Sequence, residues 1–199
     1  MKVKLILASS SRNRQNLFKM VGWKYDVIKS LEEEQSDAAD PSQYVIDLSR
    51  DKAKSVAKQI NEKAIIVAAD GVIYLGEKIF EKPKNKLEAA QNMRLMSGKI
   101  VHAVTGITIK DLYQDKEISF SDTAEVHFKE LSEEDIAWYI ENDKYILNCC
   151  GGFSLEGKAA VFIEKIIGDY NTVRGVSVNK LYTKFKELGY APSDFELTK

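Results

Sequence analysis

The stretch Val3-Lys4-Leu5-Ile6-Leu7-Ala8-Ser9-Ser10-Ser11-Arg12-Asn13-Arg14 decides the fold class. An apolar run gives way at once to hydroxyls and cations. The residues beyond it carry Leu17, Phe18 and Val21 at helical spacing. A short strand that turns directly into an amphipathic helix is the first half of a layered α/β unit. Ser11 stands where a helix cap is expected. The free amide groups of the helix's first turn would add partial positive charge beside Arg12 and Arg14. The stretch therefore reads in two ways, as a phosphate-handling turn or as a capped helix with solvated arginines.

The same alternation continues along the chain. Asp40-Pro41 opens a helix, with Asp as cap and Pro at the first helical position. Residues 65–69 (IIVAA) are continuously apolar, as expected of a central strand buried on both faces, and the run stops at Asp70. A helix follows Asn85. Residues 100–109 and 124–128 read as strands joined by a hairpin near residues 111–115, which makes the sheet mixed. Ser132 and Asp135 form a capping-box pattern before a helix through Ile136 and Ile140. Residues 161–167 read as another strand. A final helix carries Val178, Leu181, Tyr182, Phe185 and Leu188, and Gly189 is placed to close it. The expected architecture is a mixed twisted sheet flanked by helices, in one unit over residues 1–199 that is compact or two-lobed.

Composition narrows the function. With 199 residues, 44% hydrophobic and 30% charged, the chain supports a packed core rather than a disordered ensemble. The 29 basic and 30 acidic residues nearly cancel, so no global field draws it to nucleic acid or to anionic lipid, and small substrates are favoured. The apolar run after Lys4 is shorter than a signal-peptide core of about 7–15 residues. No run is long enough to span a bilayer. Cys149 and Cys150 are the two cysteines and are adjacent, so they cannot staple distant segments. They read as structural thiols in a reducing, cytoplasmic setting.

Polar residues at positions the pattern reserves for apolar ones mark the chemistry. The apolar face of the helix after Asp40 runs Val45, Leu48, Lys52, Val56. Lys52 therefore either meets a partner or ligand, or snorkels from the edge of that face. Asp70, read as the end of a buried strand, is a candidate metal ligand or water-activating carboxylate, against the alternative of a turn acid. Lys82, before Pro83, follows the Gly76 turn. His102 and His127 fall in strand patterns far apart in sequence and read as satisfied strand residues.

In order along the chain, Leu7-Ala8-Ser9-x-Ser11 with Arg14, Glu34, Lys52-Ala53, Ala69-Asp70, Lys82-Pro83, the Ser97-Gly98 to Thr105-Gly106 stretch, and Gly168-Asp169-x-Asn171-x-Val173-x-Gly175 resemble the Maf family of nucleoside triphosphate pyrophosphatases. The resemblance covers nearly the whole chain. It implies a fold related to the inosine triphosphatase class and a divalent metal, Mg or Mn. It also implies hydrolysis of a nucleoside triphosphate between the α and β phosphates, and a homodimer. Ser9, Ser11, Arg14, Lys52 and Lys82 would supply donors and charge to the phosphates. Glu34 and Asp70 would hold the metal, with Asp70, Lys52 and Lys82 catalytic. Phe153, Glu156 and Gly157 resemble the branch associated with 7-methyl-GTP rather than the branch whose Gln favours dTTP and UTP, and Phe153 and Glu156 would bind the substrate. The chain departs from the family at Glu33, Arg12, Asn13, Gly71 and Glu81. The alternative is a nucleotide-binding regulatory protein linked to septum formation with reduced turnover.

Overall fold

The computed structural model describes residues 3–195. β1 (Leu5–Leu7) leads through Ser9–Ser11 into α1 (Arg12–Met20), followed by β2 (Asp26–Val27) and α2 (Pro41–Gln59). β3 (Ile65–Leu75), β4 (Lys78–Phe80) and α3 (Lys86–Met96) come next, then the long strands β5 (Ile100–Asp111) and β6 (Lys116–Phe128). α4 (Glu133–Asn142), two 3-10 turns, β7 (Ile163–Ile167), the short α5 (Tyr170–Val173), α6 (Val178–Glu187) and a last 3-10 turn (Pro192–Asp194) complete the order. Among the described residues the strands form one seven-stranded sheet in the order β2-β1-β3-β5-β6-β7, with β4 pairing β3. β1 runs parallel to both β2 and β3, whereas β3–β4 and β6–β7 are antiparallel. The mixed α/β sheet expected from the sequence is therefore the one observed.

The chain divides into two compact units. Unit 1 is Met1–Asp70, Thr105–Asp122 and Gly175–Lys199, as far as described, and unit 2 is Gly71–Val104 and Thr123–Arg174. In unit 1, alternate residues of β1 and β3 serve two different cores. Leu5, Leu7, Ile65, Val67 and Ala69 pack with Leu17, Phe18, Trp23, Leu181 and Phe185. Ile6, Ala8, Ile66 and Ala68 pack with Ala53 and Val56 of α2. This two-sided burial explains why both strands read as unbroken apolar runs. Unit 2 has its own core of Ile73, Phe80, Met93, Met96, Val126, Phe128, Tyr139, Phe153 and Phe162 among others.

Local chemistry sets the element ends. Asp40 accepts from the Gln43 amide, with Pro41 at the first position of α2, and Asn85 caps α3 by accepting from Glu88. The Ser132–Asp135 capping box is formed in both directions. Three expectations change. Ser11 occupies the cap position of α1 in extended conformation but makes no side-chain cap bond. β3 does not end at Asp70 but continues to Leu75, because the sheet's hydrogen-bond ladder follows the backbone and not the burial of side chains. Residues 158–162 form a 3-10 turn, and β7 starts only at Ile163.

Candidate functional site

Unit 1 gathers the cation and carboxylate that the apolar pattern singled out. α2 projects Lys52 from its buried side, and the Lys52 ammonium pairs directly with Asp70 Oδ2 in β3. Each side chain is 19% exposed, so Lys52 neither snorkels to open solvent nor sits dry, and its partner is the residue the sequence marked independently. Two close fits hold α2 against β5. A Cβ at Gly106 would overlap the Val45 backbone carbon and oxygen. A hydroxyl chain also joins the elements, with Ser49 Oγ 2.8 Å from Thr108 Oγ1 and Thr108 Oγ1 3.0 Å from Ser119 Oγ. The helix is therefore registered on the sheet by polar as well as apolar contact, and Lys52 is registered with it.

The turn after β1 has a division of labour that sequence reading did not separate. Ser9 is 8% exposed, and its Oγ accepts from the Ser11 amide (3.2 Å) and from Arg14 Nη1 (3.1 Å). Arg14 Nε donates to the Gly175 carbonyl at 2.9 Å. Gly175 has φ +115, a conformation that L side chains rarely adopt, so a substitution there would strain the backbone that carries this carbonyl. Ser9 and the Gly175 carbonyl thus aim Arg14. Because the Ser11 side chain does not cap α1, the first-turn amides of a nine-residue helix are not quenched by that hydroxyl.

Glu34, also in unit 1, is half-buried in the irregular segment before α2. That segment is tied down by Leu31 N donating to Ser55 Oγ (3.1 Å) and by Ser36 Oγ donating to Asp47 Oδ2 (2.9 Å). Among the described residues no group of three or more His, Cys, Asp or Glu side chains is gathered to hold an ion. The hard oxygen donors of Asp70 and Glu34 are of the type that suits Mg or Mn, which commonly bind through one or two carboxylates with substrate phosphates.

Unit 2 holds the other predicted residues. Lys82 is exposed, just beyond β4. Glu81 beside it accepts from the Gly151 amide through its backbone carbonyl at 2.9 Å. Phe153 is 4% exposed and meets Phe128 edge to face with centroids 5.0 Å apart, so its ring belongs to the core and not to a stacking surface. Glu156 sits in a built turn, its amide donating to Ser154 Oγ (3.2 Å) while Asp143 Oδ2 accepts from Lys158 N (2.5 Å). Its carboxylate is held by Arg174, which sequence reading passed over because only the fold brings position 174 to 156.

Both cysteines are half-buried, and neither is in a disulfide. Cys150 Sγ donates to the Gly71 carbonyl at 3.0 Å. Burial pushes the Cys149 thiol up, partly offset by its hydrogen bond to Ser154 and by the Lys82 charge. His127 meets Glu125 at 3.1 Å, as expected of a satisfied strand histidine. His102 differs: it stacks on Tyr74 with centroids 4.9 Å apart, and its buried Nδ1 has no hydrogen-bond partner. Strand periodicity reports a ring's placement but not its polar satisfaction. No helix of the described chain is long and apolar enough to cross a membrane.

A dTTP/UTP pyrophosphatase of Thermoanaerobacter sp. (strain X514) is 36% identical over 184 residues, covering 92% of this chain and 96% of the relative. Proteins of the same description from Carboxydothermus hydrogenoformans (35% over 188 residues, 94% and 100% covered) and Bacillus anthracis (36% over 185 residues, 92% and 95% covered) are similarly close. A solved HAM1 protein from Coxiella burnetii aligns at 13% identity and a TM-score of 0.46 over 63% of this chain and 73% of that one. The expected 7-methyl-GTP branch finds no support among these relatives. A family model described as Maf-like protein matches residues 4–188, both units included, and the chain belongs to that family.

Proposed function

We propose that this protein is a nucleoside triphosphate pyrophosphatase that hydrolyses dTTP and UTP to the monophosphate and pyrophosphate. The observation that carries the reading is the Lys52–Asp70 pair in unit 1, a cation and a carboxylate that two unrelated sequence signals selected. The names of the relatives support the substrate class.

In this reading Lys52 and Arg14 bind phosphate oxygens, helped by the first-turn amides of α1, while Ser9 and the Gly175 carbonyl keep Arg14 aimed. Asp70 orients a water and takes its proton as the water oxygen attacks the α-phosphorus, and the bond from the α-phosphorus to the bridging oxygen breaks. Pyrophosphate leaves with that oxygen. Lys52 serves twice, holding Asp70 before substrate arrives and countering phosphate charge afterwards. Asp70 and Glu34 are the proposed holders of Mg or Mn, which supplies charge neutralisation to the triphosphate when bound. A homodimer belongs to the same proposal and is tested by sedimentation equilibrium.

The deciding experiment is pyrophosphate release from dTTP, UTP, CTP, GTP and 7-methyl-GTP with magnesium or manganese. The expected result is turnover led by dTTP and UTP. Turnover of none of them overturns the enzymatic reading, and nucleotide binding retained in that case would favour the regulatory alternative. Turnover led by a purine overturns the base assignment.

A further inference from the structure

β4 and one flank of α3 wall a cavity of about 640 Å³. Among the described residues β4 pairs with β3 alone, so its second edge carries no strand. Ile79 and Phe80 line the cavity from the strand, Leu87 and Leu95 from the helix, and the two leucines are 67% and 45% exposed. Asn92 lines it too. That residue is only 6% exposed, and its side-chain amide makes no hydrogen bond to any described residue. The other buried residues of α3 are Ala89, Met93 and Met96, so position 92 is where this helix buries a polar group at a cost to the free protein. Charge on the walls is balanced, Lys78 and Arg94 against Glu81 and Glu88. Arg94 is already held by Glu133 at 2.8 and 2.7 Å, and Glu88 accepts from the Lys84 amide at 2.8 Å. No excess cation is offered to a phosphate here, so the cavity does not suit a nucleoside triphosphate.

We propose that this groove binds a short, uncharged, apolar peptide laid in extended form beside β4. Every residue of the site belongs to unit 2, and the proposal goes beyond the pyrophosphatase reading without depending on it. The strand's second edge supplies main-chain donors and acceptors to a peptide backbone, which is recognition by strand addition. Leu87 and Leu95 cover apolar side chains of the peptide and lose exposed surface in doing so. The Asn92 carboxamide, donor and acceptor in one plane, meets a peptide N–H and C=O that the strand edge leaves unpaired. An acidic ligand meets Glu81 and Glu88 instead and is repelled. The balanced walls therefore select a neutral occupant, and the buried amide selects one that carries amides of its own.

The test is calorimetric titration of the full chain with acetyl-leucyl-alanyl-leucine methylamide. Two control peptides accompany it, one ending in a free carboxylate and one N-methylated at its alanine, which removes a main-chain donor. Saturable binding of one methylamide per chain is expected, with a Kd at or below about 1 mM. The N-methyl group and the variant Asn92→Leu should each weaken it by about tenfold, and the carboxylate and the exposed variant Leu95→Lys by about threefold or more. Asn92→Leu should keep or raise Tm, because the amide it removes has no partner in the free protein. Failure of Asn92→Leu to fold, or a lowered Tm, would show that the amide serves the fold and would overturn the proposal. So would unchanged affinity in Asn92→Leu or in Leu95→Lys, equal binding of the N-methylated peptide, or no saturable binding of the methylamide. None of these readouts uses turnover, so a failure of the pyrophosphatase reading leaves the proposal standing and its own failure leaves that reading intact.

Discussion

Lys52 of α2 and Asp70 of β3 form a direct ion pair, each with about a fifth of its side chain exposed. The pair joins the helix and the strand that the polar and apolar patterns singled out separately. A mostly buried pair of this kind contributes modestly to net stability, since the loss of hydration offsets much of the attraction between the charges. Their value lies in position, which separates the effects of mutation on folding from those on chemistry.

Asp70→Asn is expected to lower turnover by about 100-fold or more, because the amide neither takes a proton nor holds a cation well. Thermal stability should change little beside that loss. Steady-state kinetics and thermal melts on the same preparation check both halves, and near-normal turnover would remove Asp70 from the mechanism.

Lys52→Met keeps the aliphatic stem against α2's neighbours and deletes the charge. Triphosphate affinity and turnover should both fall. In combination with Asp70→Asn the loss of turnover should be far from additive, since the two groups act on one reaction. Additive losses would show that the pair does not act as a unit.

Gly106→Ala tests how α2 is registered. The added carbon meets backbone atoms of Val45, which cannot rotate away as a side chain would, so the helix must shift. A destabilisation of about 2–3 kcal/mol is expected, read as a lowered Tm, together with reduced turnover from displacement of Lys52. Retained Tm with lost activity would contradict the packing argument.

Chelation separates the metal from the fold. EDTA should abolish pyrophosphate release, and added magnesium or manganese should restore it. The circular dichroism spectrum should stay unchanged, because the cores described in both units are apolar side chains. Turnover that survives exhaustive chelation would exclude the proposed metal.

Cys149 has a thiol pushed above its ordinary value of 9.0, chiefly by burial. Its folded state therefore prefers the protonated form. It contributes stability below the unfolded thiol's pKa, and this is lost as pH rises through the higher folded value. Alkylation by iodoacetamide at pH 8 should be slower than for an unfolded control and should still be climbing above pH 9, followed by mass spectrometry. A plateau below pH 8 would show an activated thiolate instead.

Much of this protein is determined by sequence alone. The α/β alternation, the Asp40 and Asn85 caps and the Ser132–Asp135 box depend on interactions a few residues long, which local spacing encodes directly. The selection of Lys52 and Asp70 was also local, because a charge that interrupts an apolar period is visible in a single element. Their pairing was not. It needed α2 packed on the sheet through Gly106 and the Ser49–Thr108–Ser119 hydroxyls, contacts between residues tens of positions apart. Tertiary structure likewise drew Phe153 into the core, carried β3 beyond Asp70, and brought Arg174 to Glu156 across 18 positions. Burial, strand length and ion pairing depend on what lies opposite a residue in space, and a linear pattern reports only what lies beside it in the chain.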